Sequence, residues 1–214
     1  MNIFQRTVRN LLVISMLFIL PVATLLHVHP GTPLVMKAFV DKGTYAFLTN
    51  NSYSQWLQAM KRYSDQNTVL LEDIGLMPFH GSFSQLITAI NFRVNNIDYM
   101  HDDENYGPME YFATPREMLD RGAGDCEDYA ILKMHLLVAA GFPPEDLFLT
   151  VGLYTYPDGD VGGHAVLFLR DGNGTLWVLD NMRNSIIPAH QYKQFEPMAA
   201  INWSGFYLLG ALAH

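Results

Sequence analysis

The apolar positions of this chain change rhythm three times. From Asn10 to Val28 they form an almost unbroken run behind Arg6 and Arg9. Through the middle of the chain they recur at intervals of three and four, the signature of helix faces. Trp56, Leu57, Met60 and Tyr63 make one such face, read as scaffold, with Lys61 and Arg62 off it. A second helix is predicted from Ser82, where Gln85 three residues on completes a capping-box pattern, and it continues through Leu86, Ile87, Ile90, Val94 and Ile97. Asn91 and Asn95 lie on neighbouring turns of that helix and read as structural hydrogen-bonders. Thr114-Pro115-Arg116-Glu117 supplies an N-cap, an N1 proline and an N3 glutamate for a short helix that stops at Gly122.

After a turn at Gly122-Ala123-Gly124, Asp125 is the natural N-cap of the next helix, and Asp128 is its third residue. Ala130, Ile131, Met134, Leu137 and Val138 give it a broad apolar face, so it is expected to be buried and central, running to about Ala140 before Gly141 and Pro143-Pro144 end it. Beyond the prolines the apolar residues bunch into strand-like runs. These are Leu147 to Tyr154, His164 to Leu169 and Thr175 to Asp180, with Trp203 to Leu209 as one more. Gly162-Gly163 reads as flexible linker, and Asp171-Gly172-Asn173-Gly174 as a hairpin. Helices first and then an antiparallel sheet packed on a central helix is an α+β arrangement.

Composition narrows what this fold is for. At 214 residues, half of them hydrophobic and 16% charged, the chain suits one globular domain. The basic N-terminal residues and the apolar run match an export signal or a retained anchor over residues 1–29, leaving 30–214 as a single domain outside the cytoplasmic membrane. Membrane contact is expected only if that segment is retained, and residues 29–50 suggest no role. Without the first 30 residues the balance is 11 basic against 21 acidic side chains. Nucleic-acid phosphates demand a basic surface, so no nucleic-acid partner is expected. Cations and protein substrates suit the chain better.

Cys126 is the single cysteine. Exported proteins pair their cysteines, so an unpaired one is either a reactive thiol or a small buried hydrophobe. As first residue of a helix it would meet unsatisfied N–H groups that favour a thiolate, whereas Asp125, Glu127 and Asp128 oppose ionisation unless a cation neutralises them. The acidic run Asp102-Asp103-Glu104 reads by default as a solvated surface, with an oxygen ligand for a cation as its other use. A base and an orienting group are available in His164 and Asp180, at the ends of neighbouring strands. With a three-residue loop Gly172-Asn173-Gly174, Asp171 pairs with Thr175, His164 falls opposite Met182, and Asp180 lies diagonally on the same face. A two- or four-residue loop would put them on opposite faces unless a bulge intervened. Cysteine, histidine and aspartate in this order provide nucleophile, base and orienter for acyl transfer.

The run Gly124-Asp125-Cys126-Glu127-Asp128-Tyr129-Ala130-Ile131, with Ala113-Thr114-Pro115 upstream and His164-Ala165-Val166-Leu167 and Leu179-Asp180-Asn181 downstream, resembles the bacterial transglutaminase-like cysteine proteinases. The best-known of these are the LapG-type periplasmic proteases. The similarity spans roughly Phe79 to Leu208. It implies a papain-like, transglutaminase-type fold with a triad at Cys126, His164 and Asp180. It further implies a calcium-dependent endopeptidase that cuts the N-terminal region of a large surface adhesin at a di-alanine site, releases cells from a biofilm, and is restrained by an inner-membrane cyclic di-GMP receptor. The Ca2+ ligands it implies are Asp125 and Glu127, with Asp128 and Asp102 as additions; an all-oxygen set suits calcium. Phe112 stands where the family usually has tryptophan, and Ala165 where methionine is usual. The rival readings are a transglutaminase-type acyl transferase and a non-catalytic calcium-binding docking protein of the envelope.

Overall fold

A computed structural model describes residues 53–63, 69–107 and 110–209. The expected signal or anchor, the start of the expected domain at residue 30 and the stretch 29–50 lie outside these. Among the described residues no helix is long and apolar enough to cross a membrane.

The first helix, α1 (residues 53–62), buries Trp56 and Ala59, while Leu57, expected on its inner face, is exposed. Arg62, one turn after Ala59, reaches Phe112 O (2.5 Å) and Glu117 Oε1 (3.3 Å). α2 (Phe83–Val94) starts as its sequence predicts, with Gln85 N–H donating to Ser82 Oγ and Ser82 N–H to Gln85 Oε1. It ends at Val94, so Ile97 lies beyond it. The acidic run is helical: α3 (Asp102–Asn105) follows β1 (Asp98–Tyr99). α4 (Pro115–Arg121) has Thr114 as its cap and ends at Gly122, whose φ of 71° lies in the left-handed region that glycine enters freely.

Residues 123–124 are not a simple turn. Ala123–Gly124 is strand β2, parallel to β1 with Tyr99 opposite Gly124. This two-residue ladder fixes where α5 (Cys126–Ala139) begins. α5 is buried almost all round, and Ile131, Leu132, Leu136 and Leu137 are fully enclosed. Burying each such side chain is worth about 1.5–3 kcal/mol, so the nucleophile candidate sits at the end of an element that does not move easily.

α5 packs on one face of a six-stranded antiparallel sheet of β3 (Leu147–Thr155), β4 (Val161–Arg170), β5 (Leu176–Leu179), β6 (Ile187–Pro188), β7 (Phe195–Asn202) and β8 (Gly205–Leu208), ordered β6-β5-β4-β3-β7-β8. Ala165, Leu167, Leu169 and Leu179 meet the helical layer, and Val166, Phe168 and Val178 form a second cluster with Tyr192 and Phe195 on the other side. The α+β class and the helix-on-sheet layering read from the sequence hold.

Two sheet features depart from the sequence reading. Gly162-Gly163 is not linker but part of β4, paired with Tyr154 and Leu153. β7 was missed, because Pro197 argues against an inner strand and Ala199-Ala200 add no β-branched signal. The proline is accommodated at a bulge: Val151 pairs with Ala199 and Gly152 with Pro197, leaving Met198 as the extra residue. There the Glu196 carbonyl lies where any Cβ on Gly152 would sit, 2.1 Å away.

Candidate active site

Cys126 opens α5, and its thiol donates to Glu127 Oε2 at 3.3 Å. It has no disulfide partner. β4 and β5 pair Leu167 with Leu179 and Phe168 with Val178, and Asp171 N–H bonds Thr175 O, which is the register of a three-residue loop. Gly174 takes the positive φ, 81°, that this loop requires. His164 and Asp180 therefore share a face, and His164 Nε2 lies 2.9 Å from Asp180 Oδ1, both side chains being buried. The carboxylate holds Nε2, which leaves Nδ1 as the free ring nitrogen. Cys126, His164 and Asn181 all line one cleft of about 460 Å³, together with Tyr99, Tyr156 and Met198.

Asp180 is more completely held than a single histidine contact implies. Its Oδ1 also accepts from Met182 N–H (3.1 Å), and Oδ2 accepts from the buried Tyr192 hydroxyl at 2.6 Å. Burial pushes the Asp180 carboxyl up, but these hydrogen bonds and the His164 charge outweigh it, and the carboxyl ends below its usual range. The backbone is anchored as well. Asn95 Nδ2 donates to Asp180 O and Arg183 O, and Asn91 Nδ2 to Arg183 O and Asn184 O, so both asparagines tie α2 to the segment after β5. Tyr192 carries no motif, and no sequence signal marked it.

The acidic residues converge beside the thiol. Carboxylate oxygens of Asp102, Asp125 and Asp128 lie within 4.8 Å of one another, and Asp125, Cys126 and Glu127 form a second group of the same size. Asp102 is therefore no solvated surface residue. It is buried, and Tyr111 N–H donates to its Oδ2 at 2.5 Å. Asp128 reaches back to Asp125 N–H (3.4 Å) and accepts from Ala113 N–H (2.7 Å). Gly124 makes room for it: a Cβ there would meet Asp128 Oδ2 at 2.8 Å.

Burial, and next the neighbouring negative charges, drives these carboxyls up: Asp102 to about 7, and Glu127 and Asp128 well above their ordinary values; burial also raises Asp125. Burial pushes the Cys126 thiol well up too, reinforced by Glu127 and Asp125 and opposed by the Ala165 N–H. Asp102 Oδ1 and Asp125 Oδ1 are buried with no hydrogen-bond partner. An oxygen-only cluster with orphaned acceptors and excess negative charge fits a hard cation. Glu127 groups with Asp125 and the Cys126 thiol but not with Asp102 and Asp128, so Asp125 is the residue common to both groups.

A pH dependence follows for protein stripped of divalent cations. Carboxyls with raised folded-state values bind more protons folded than unfolded, so this cluster's contribution to stability is greatest below the unfolded value of about 4 and is lost as pH rises through about 7. Thermal melts in chelator across that range are expected to show a falling Tm, and added calcium to restore it at neutral pH.

The sequence profile of the bacterial transglutaminase-like cysteine proteinases matches residues 45–196, most of the chain. This chain belongs to that family. Among solved structures, Legionella pneumophila LapG is similar with a TM-score of 0.55 and 24% identity over 74% of this chain and 87% of that one. A calcium-bound form of the same Legionella protein matches with a TM-score of 0.55 at 22% identity over 76% and 90%. Likeness at this identity speaks for a shared fold. UPF0252 protein PF1496 of Pyrococcus furiosus is 40% identical over 75 residues, 34% of this chain, and the match spans only 20% of that protein's length. The family is one of cysteine proteinases, and the single cysteine of this chain is Cys126.

Proposed function

We propose that the chain is a cysteine endopeptidase whose nucleophile, base and orienter are Cys126, His164 and Asp180. The observation that carries this is the 2.9 Å contact of His164 with Asp180, with His164 and the single cysteine lining one cleft. His164 Nδ1 takes the thiol proton, and the thiolate attacks the scissile carbonyl carbon. The Cys126 N–H, unsatisfied at the first turn of α5, faces the developing oxyanion. His164 then gives the proton to the leaving amine, and water hydrolyses the thioester with His164 again as base. Asp180 keeps Nε2 protonated and stabilises the imidazolium throughout.

Asp102, Asp125 and Asp128, with Glu127 beside them, would hold Ca2+. The Legionella protein is known in calcium-bound and EGTA-treated forms, which supports the choice of ion. Bound there, the ion supplies positive charge to carboxylates that otherwise keep the thiol protonated. The family resemblance further supports an exported, periplasmic enzyme, either free or held by residues 10–28. It supports a large surface adhesin cut at a di-alanine site as substrate, a role in biofilm release, and restraint by an inner-membrane cyclic di-GMP receptor.

The test is incubation of the protein in calcium with the N-terminal region of a surface adhesin and a fluorescent primary amine. Two fragments separated at Ala-Ala, neither carrying the amine, are expected. Amine incorporated at glutamine with no cut would instead make the chain an acyl transferase.

Tyr192→Phe removes one hydrogen bond from Asp180 while keeping the ring. Charge-assisted bonds are worth about 1.5–3 kcal/mol, so kcat/KM is expected to fall roughly tenfold or more. Because the hydroxyl helps to lower the Asp180 value, the acid limb of the pH–rate profile should move to higher pH. An unmoved profile would reduce Tyr192 to a packing residue.

A further inference from the structure

β4 is longer than the strand beside it. It pairs with β3 from Val161 to Leu169, whereas β5 covers only Leu167 to Arg170. The alternation of backbone groups is fixed at both ends of β4, by Tyr156 N–H on Asp160 O (2.8 Å) and Asp171 N–H on Thr175 O (2.9 Å). Even-numbered residues of β4 thus direct N–H and C=O to β3, and odd-numbered ones to the side of β5. Ala165 and Gly163 face that side beyond the end of β5. Ala165 lines the same cleft as Cys126. The Gly163 N–H and C=O have no partner among the described residues, and Gly163 is exposed in the same cleft as Cys126 and His164. A Cβ placed on Gly163 would meet no atom within 4 Å, so the space above it is open.

We propose that this open edge of β4 is the acyl-side docking site for substrate, where an extended peptide adds as a strand and exchanges main-chain hydrogen bonds with Gly163. The inference rests on the endopeptidase reading and names how its substrate is held. An edge with a free donor and a free acceptor is a ready template for an extended chain. It lies one strand repeat, two residues, from Ala165, which lines the cleft with Cys126, so a peptide paired there is led along the cleft towards the thiol. Recognition through the main chain makes extendedness, rather than a large side chain, the first requirement on the substrate.

The test uses the full chain in calcium with acetyl-Ala-Ala chloromethyl ketone, which alkylates a thiol with loss of chloride. Its two ester analogues, in which a lactyl unit replaces one alanine and oxygen replaces one N–H, are run beside it. The Cys126 adduct is followed by intact mass, and iodoacetamide, which has no peptide backbone, provides the reference rate. One of the two esters is expected to react about tenfold more slowly than the peptide, the size of one lost hydrogen bond of about 1.4 kcal/mol. In the protein, Gly163→Pro should lower the ratio of peptidyl to iodoacetamide rate at least tenfold, and by more than Gly163→Ala. Equal rates for all three peptidyl probes would overturn the docking site even if the proline variant fails to fold. Failure of every probe to label Cys126 would instead overturn the endopeptidase reading beneath it.

Discussion

Cys126→Ala is expected to abolish peptide cleavage while leaving the fold in place. No other thiol exists in the chain to take over, and removing the proposed nucleophile leaves only binding and oxyanion stabilisation. Activity should fall by about 10⁴-fold or more. Tm should stay within about 2 °C of wild type, because the side chain is small, only partly buried and at a helix end rather than in the enclosed stretch Ile131 to Leu137. Kinetics with an adhesin fragment and a thermal melt check both halves. His164→Ala should approach the same loss, and Asp180→Asn should retain more activity, since His164 would keep a neighbour but not the charge that holds its tautomer.

Calcium is expected to produce the largest change in stability. A ligand at 100 times its Kd stabilises by about 2.7 kcal/mol, which is about 5–10 °C for a domain of this size. Asp125→Asn separates the metal from the fold. Asparagine is as good an N-cap as aspartate, so α5 still starts at Cys126. One of the crowded negative charges is gone, so the metal-free variant should melt at or above metal-free wild type at pH 7. Its calcium response should shrink to less than half, and its activity should fall with it. Scanning fluorimetry with and without EGTA measures this. A full calcium response in both Asp125→Asn and Asp102→Asn would remove the metal from this cluster.

The sequence made the site more legible than the sheet around it. Loop length alone, in Asp171 to Gly174, set the parity that brings His164 to Asp180. The cap residues Ser82, Thr114 and Asp125 marked three helix starts, because capping is local chemistry written within four residues. What stayed hidden depends on distant partners. Tyr192 reaches Asp180 only because the chain returns through β6, and Asn91 and Asn95 find loop carbonyls 85 to 93 residues away. Strands β1 and β2 are two residues each, too short for any periodicity, yet they set the start of α5. Asp102 was readable as a possible ligand but not as buried, since burial there comes from the backbone of residue 111 folding over it.

The central claim is that one thiol is activated by one held imidazole, and it can be measured without knowing the substrate. Alkylation of Cys126 by iodoacetamide at pH 7, in calcium, is followed by intact mass for wild type and His164→Ala. A wild-type rate at least about tenfold above that of the variant is expected, because His164 takes the thiol proton. Equal rates in the two proteins would contradict the pairing of Cys126 with His164.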